Sequence, residues 1–233
     1  MLGHAYEIQL FISESINMLI ISYSDNQGYL NMVRRLERMC KSDNLPFKAY
    51  DRSWLVNQSE FKEHPAIFSS NKGGGYWAWK SLIILDALKL SDEVLYLDSS
   101  VIYSNREAIL KIFNDTELLS AVGTSFANKE WTKRSCFENM DCDTEEYWNA
   151  MQVWAGVICA KKQGISRVQE WRNYCLDYDT VSDIRSRRNF PTFKAHRHDQ
   201  SVLTNILIKY KLPYLEVAEF YDNNNFSETH SRI

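Results

Sequence analysis

Short apolar runs rich in β-branched residues recur along this chain, most of them followed by a stretch with helical periodicity. The first, Met18-Leu19-Ile20-Ile21-Ser22-Tyr23, is stopped by Ser24-Asp25-Asn26. It lacks polar/apolar alternation, which marks a strand buried on both faces. From about Gly28 to Lys41, Leu30, Val33, Leu36 and Cys40 form one apolar helical stripe. Further strands are predicted at Pro46–Tyr50, Glu93–Asp98, Leu118–Gly123, Val153–Ala160 and Pro213–Val217. Helices are predicted at Ala78–Leu90, Arg106–Phe113, Gly164–Leu176 and Asp199–Tyr210. Such alternation predicts an α/β fold, a mainly parallel twisted sheet with helices on both faces. No Pro/Gly/Ser-rich linker divides the 233 residues, so one domain is expected, with a polar, mobile tail from Asp222.

Several function classes fall away. A net charge of −3 supplies no global basic field for nucleic acid. The apolar runs are too short to span a bilayer, and the first residues lack a secretory n-region, apolar core and cleavage site. Five cysteines without a CxxC fit reduced thiols in a cytoplasmic protein.

Three segments place polar or aromatic groups where elements end, the edge at which an open α/β sheet collects ligands. In Tyr96-Leu97-Asp98-Ser99-Ser100, Asp98 closes an apolar strand. A carboxylate there binds a ribose hydroxyl, or a divalent metal that neutralises a diphosphate, or it caps a turn. The glycines of Gly73-Gly74-Gly75-Tyr76-Trp77-Ala78-Trp79-Lys80 let backbone approach a ligand or take positive φ. Tyr76 and Trp79 are then candidates to stack on a base or sugar, and Lys80 to meet a phosphate. Taken singly, Trp77 and Trp79 fit a buried helix as well. A GxxxxGK[ST] loop fails because Trp79 replaces its second glycine.

Arg185, Arg187, Arg188, Lys194 and Arg197 follow one another without an acid, which suits a diphosphate or a solvated loop. His196-Arg197-His198-Asp199-Gln200-Ser201 leads into a helix, with Asp199 an N-cap candidate. Trp131, Lys133, Gln152 and Trp154 belong to a polar, aromatic region that fits a sugar acceptor, a protein interface or a satellite core.

Taken in order from about Ile20 to Tyr210, these segments resemble the GT-A class of nucleotide-sugar glycosyltransferases. More narrowly they resemble small members with a YGYWxWK-like segment, a YLDsg-like strand end, a Q-x-x-aG strand and an HRHDQS helix start. The resemblance implies a GT-A-like single domain that moves a sugar from a nucleotide donor, a UDP-sugar being favoured, to a glycan acceptor. It implies that the strand Met18–Tyr23 and its loop Ser22–Asn26, Ser22 and Tyr23 among them, contact the base, and that Asp98, Lys80 and Arg197 hold the diphosphate. Tyr76, Trp79, Ser100 and His198 complete the donor side, and Lys133, Gln152 and Trp154 the acceptor side. Asp199 and Gln200 would lie at the reacting carbon. Where the class carries DxD to hold Mn²⁺ or Mg²⁺, this chain reads Asp98-Ser99-Ser100. A carboxylate elsewhere, or His196, His198 or His230, would complete a metal site on Asp98, or the basic stretch would replace the metal. An inverting enzyme would use Asp199 as base, and a retaining one would need mainly leaving-group stabilisation. A non-catalytic sugar-nucleotide or glycan binding module is the alternative that the missing acid raises. A nucleotidyltransferase is disfavoured, because no Gly-rich basic signature follows the first strand.

Overall fold

The computed structural model describes residues 18–215 and 226–228. Its strands are β1 (Met18–Ser24), β2 (Phe47–Asp51), β3 (Glu93–Leu97), β4 (Val101–Tyr103), β5 (Leu119–Ala127), β6 (Met151–Lys161) and β7 (Phe226–Glu228). Five of them form one sheet in the order β2-β1-β3-β6-β5, and β4 pairs with β7 separately. β1 runs parallel to β2 and β3, whereas β6 runs against both β3 and β5. Four strands therefore share a direction and β6 is reversed between them. The sheet is mainly parallel, as the apolar runs predict.

Five longer helices cover it: α1 (Gln27–Ser42), α2 (Trp79–Ala87), α3 (Arg106–Asp115), α4 (Ile165–Cys175) and α5 (Asp199–Lys209). The period-two rule sorts each strand between them. Ile20, Leu95 and Cys159 pack with Leu36, Ile109 and Phe113 on the side of α1 and α3. Ile21, Tyr96 and Ile158 pack with Ile83, Trp171 and Val202 on the side of α2, α4 and α5. Both faces are buried, which is why the strands show no polar alternation. α2 is apolar nearly all round because it lies between the sheet and α4. All five cysteines are buried and unpaired. Among the described residues, no helix is long and apolar enough to cross a membrane.

Two sequence expectations change. Of the strand expected at Pro213–Val217, Leu215 makes a single parallel bridge to Val122, and 216–217 lie outside the described residues. So does the tail from Asp222, apart from 226–228. The helix expected from Ala78 starts at Trp79, and Tyr76 and Trp77 do not open it. They close a left-handed turn instead: φ is +57 at Gly73, +60 at Gly74, +112 at Gly75, +54 at Tyr76 and +58 at Trp77. L-residues resist this conformation by about 1–2 kcal/mol each, and captured carbonyls hold it. Arg52 donates to Gly74 O (3.1 Å) and Phe68 O (3.0 Å), and Trp79 Nε1–H donates to Gly73 O (2.9 Å).

A Cβ on Gly75 would stand 2.8 Å from Phe68 Cδ1 and 3.2 Å from Phe68 Cα. Gly75→Ala is therefore expected to lower stability by about 1–3 kcal/mol in urea unfolding. Gly28→Ala, whose Cβ meets nothing nearer than 3.4 Å, is expected to hold or gain up to about 1 kcal/mol.

Candidate active site

Three connected chambers run along the edge where β1, β3 and β5 end and reversed β6 begins. The first, about 340 Å³, lies between the β1 loop, the glycine turn and the Asp98-Ser99-Ser100 loop. The middle one, about 230 Å³, is floored by Lys80, Asp98 and Asp199. The third, about 520 Å³, is walled by Phe126, Trp131, Trp154, Gln152 and Arg197. Trp77 and Asp98 line both the first and the middle chamber. Trp154, Arg197 and Gln200 line both the middle and the third.

Asp98 follows β3 directly, and its N–H donates to Gly156 O (2.7 Å), which fixes it against β6. Its Oδ1 accepts from the buried Tyr96 hydroxyl and lies 3.1 Å from Lys80 Nζ. Lys80 is 4% exposed. Its ammonium also donates to Ala155 O (2.8 Å) and stands 3.8 Å from Asp199 Oδ2. Three N–H donors thus face three oxygens from three different elements.

Asp199 is not the N-cap. His198 occupies that position at φ +52 and ψ −119, and Asp199 begins the helix beneath it. Burial drives the Asp199 pKa up to about 7, although the Lys80 charge and the Asp199 and Gln200 N–H groups pull it down. An attraction on the order of 4 kcal/mol at this separation and an effective dielectric near 20 leaves desolvation dominant. Its Oδ2 is buried and makes no hydrogen bond, with Lys80 Nζ 3.8 Å away, and Asp199 lines the middle chamber. Burial likewise lowers His198 to about 4. Its neutral ring donates from Nδ1 to Val181 O (2.8 Å) and leaves Nε2 without a hydrogen bond. The ring packs against Trp77 and Tyr76, which seats the strained His198 backbone on the left-handed turn.

Gln200 Oε1 accepts from Ala155 N (3.2 Å), and its Nε2 donates to Gln152 Oε1 (2.9 Å). One N–H and one lone pair remain for a ligand at the boundary of the middle and third chambers. The third chamber exists because β5 loses register between Gly123 and Ala127, freeing Thr124 to Phe126. Trp154 can lie flat there because position 156 is glycine, where a Cβ would meet its ring at 2.1 Å.

The structure thus brings together Tyr23, Trp79, Lys80, Asp98, Ser100, Gln152, Trp154, Arg197, His198, Asp199 and Gln200 along one trench. Tyr23 and Trp79 stack at 3.9 Å. Three expected residues do not face it. Ser22 is buried between strands and donates to Leu97 O (2.7 Å). Lys133 is 1% exposed, and its ammonium donates to Ser182 O (2.7 Å) and Ile184 O (2.9 Å). Tyr76 is buried beneath the turn and supports His198. Lys72 and the Thr124–Phe126 segment are lining residues that no sequence motif singles out.

No three Asp, Glu, His or Cys side chains among the described residues converge to hold an ion. Asp98 Oδ1 is engaged by Lys80 and Tyr96. Both His196 nitrogens are hydrogen-bonded, one to Thr180 O and one to Lys133 N. His230 lies outside the described residues. No chemical step is assigned to a cation.

No protein-family model and no curated protein matches this chain. Among solved structures it is similar to a glycosyltransferase involved in glycosylation of the major capsid of PBCV-1 (15% identity, 93% of this chain and 94% of that one, TM-score 0.48). It is similar also to mouse xyloside xylosyltransferase 1 (11%, 86% and 84%, 0.48). A third is the galactosyltransferase LgtC in complex with donor and acceptor sugar analogs (17%, 84% and 73%, 0.46). None of these likenesses assigns a role to a residue of this chain.

Lys80→Met would leave Asp98 and Asp199 facing each other without a cation. It is expected to destabilise the protein by about 3–5 kcal/mol at pH 8. The folded Asp199 pKa lies above its unfolded value, so Asp199 itself contributes most below about pH 4 and loses that contribution as pH rises toward 7. The cost of Lys80→Met must accordingly shrink at pH 5, where Asp199 is protonated. Urea titrations of both proteins at the two pH values check the sign.

Proposed function

We propose that this chain is a glycosyltransferase that moves a sugar from a nucleoside-diphosphate donor, in the favoured case a UDP-sugar, to a glycan acceptor. One observation carries the reading. Three chambers of different chemistry meet end to end, and a buried carboxyl whose Oδ2 makes no hydrogen bond sits at the middle one. The first offers aromatic rings, Asn26, Asn71 and Asp25 but no cation, which suits a nucleoside with its base and ribose hydroxyls. The middle chamber adds Lys72, ion-paired with Asp183 (2.7 Å), and the buried Lys80, and a diphosphate is placed where the two chambers join, beside Trp77 and Asp98. The donor sugar then lies over Asp199, whose free oxygen accepts a sugar hydroxyl. The third chamber presents rings and amides to an acceptor.

In the reaction the bond from the anomeric carbon to the diphosphate oxygen breaks, and the acceptor oxygen bonds that carbon. The acceptor proton needs a destination. Among the described residues no Asp, Glu or His lines the third chamber, so none of them offers a base to an acceptor held there. The proton passes to the departing diphosphate oxygen on the same face of the sugar, and the product keeps the donor's anomeric configuration. Lys80 offsets negative charge on the leaving group, while Asp98 and Asp199 sit beside a sugar ring that becomes positive. Gln200 holds the approaching groups at the boundary.

A nucleotide diphosphate or its sugar conjugate at 100 times its Kd is expected to raise the melting temperature by about 5–10 °C. Absence of any shift with UDP, GDP, CMP and their conjugates at millimolar concentration, with Mn²⁺ or with EDTA, would overturn the reading. Asp98→Ala and Asp199→Asn are expected to cut transfer at least about 100-fold while circular dichroism stays native. NMR of the product is expected to show retention, and inversion would rule out proton transfer to the departing diphosphate.

A further inference from the structure

Among the described residues, the third chamber is lined by one cation and no acid, which narrows what it can accept. The Arg197 guanidinium lies 4.4 Å over the Trp131 ring. Its backbone N–H is held near Trp131 O (3.0 Å) and Ser201 Oγ (3.2 Å). Arg197 lines both the middle and the third chamber, and the Trp131 ring beneath its guanidinium lines only the third. The neighbouring cations are already matched. Lys194, also over Trp131 at 5.3 Å, pairs with Glu130, and Arg187 pairs with Glu138. Arg197 has no acid partner among the described residues. A guanidinium laid flat on an indole keeps its fork of N–H donors in place for a carboxylate or phosphate.

We propose that the third chamber selects an anionic saccharide, whose carboxylate, phosphate or sulfate is held by Arg197 while its ring packs on Phe126 and Trp154. Gln152 and Gln200 take its hydroxyls. A cationic amino sugar is disfavoured, because it would meet the guanidinium with no carboxylate to offset it. The transferase reading is needed only to name this ligand the acceptor; the binding preference stands on the chamber itself.

The test titrates methyl β-glucuronide, glucose 6-phosphate and methyl β-glucoside against the full chain by ligand-observed NMR, at low and at high salt. At least one anionic probe is expected to bind about tenfold tighter than the glucoside at low salt, equivalent to about 1.4 kcal/mol. High salt must narrow that gap. The glucuronide and phosphate arms report which anion is preferred. Arg197→Gln must close the gap to within about twofold, and Arg197→Lys must keep part of it. Arg188→Gln, an exposed position outside all three chambers, must leave it unchanged. Equal binding of the three probes, or a gap that survives Arg197→Gln in a natively folded variant, overturns the inference. A nucleotide thermal shift without the gap removes this inference alone. The gap without any nucleotide shift removes the transferase reading alone.

Discussion

The ammonium of Lys80 is the contact on which the carboxyl edge of the sheet depends. A buried lysine must be matched oxygen by oxygen, and its partners come from the end of β3, from β6 and from the start of α5. Helix α2 carries the cation, so four elements are placed relative to one another by a single charge. Asp98 is held twice more, by Tyr96 and by Gly156 O. Asp199 is held less fully, and its raised pKa is the measure of that shortfall. Incomplete compensation leaves the site a carboxyl whose hydrogen-bonding capacity is not used up.

Much of this arrangement was legible in the residues. The apolar runs without alternation identified a doubly covered sheet, and Asp98 at the end of one of them identified the edge that matters. Strand parity would also have excluded Ser22: it shares a face with Ile20, toward α1 and α3, whereas Tyr23 shares the face of Ile21 with Trp79. Other features had no local signal. Tyr76 and Trp77 look like helix formers, and only contacts distant in sequence, with Arg52, Phe68 and His198, hold their turn in the left-handed region. Lys133 reads as a surface lysine, yet the carbonyls that bury it come from residues 182 and 184. The slip of register that opens the third chamber belongs to pairing, and no residue in Thr124–Phe126 announces it.

The basic stretch shows how sequence charge and spatial charge diverge. From Arg185 to Arg197 no acid intervenes, but Glu130 and Glu138 come from elsewhere to meet Lys194 and Arg187. What remains of the apparent patch at the trench is Arg197.

The reversal of β6 has a consequence for how such a site can change over evolutionary time. In a parallel sheet, ligand-facing residues follow the strands, on loops that accept insertions and deletions cheaply. Here the same holds for the β1 loop and the Asp98-Ser99-Ser100 loop. Gln152, Trp154 and Ala155 instead sit inside β6, on the stretch that pairs with β5 through Val153 and Trp154. An inserted residue there would flip every side chain beyond it to the opposite face. One half of the trench is therefore free to drift by length, while the other can be retuned only by exchanging one side chain for another.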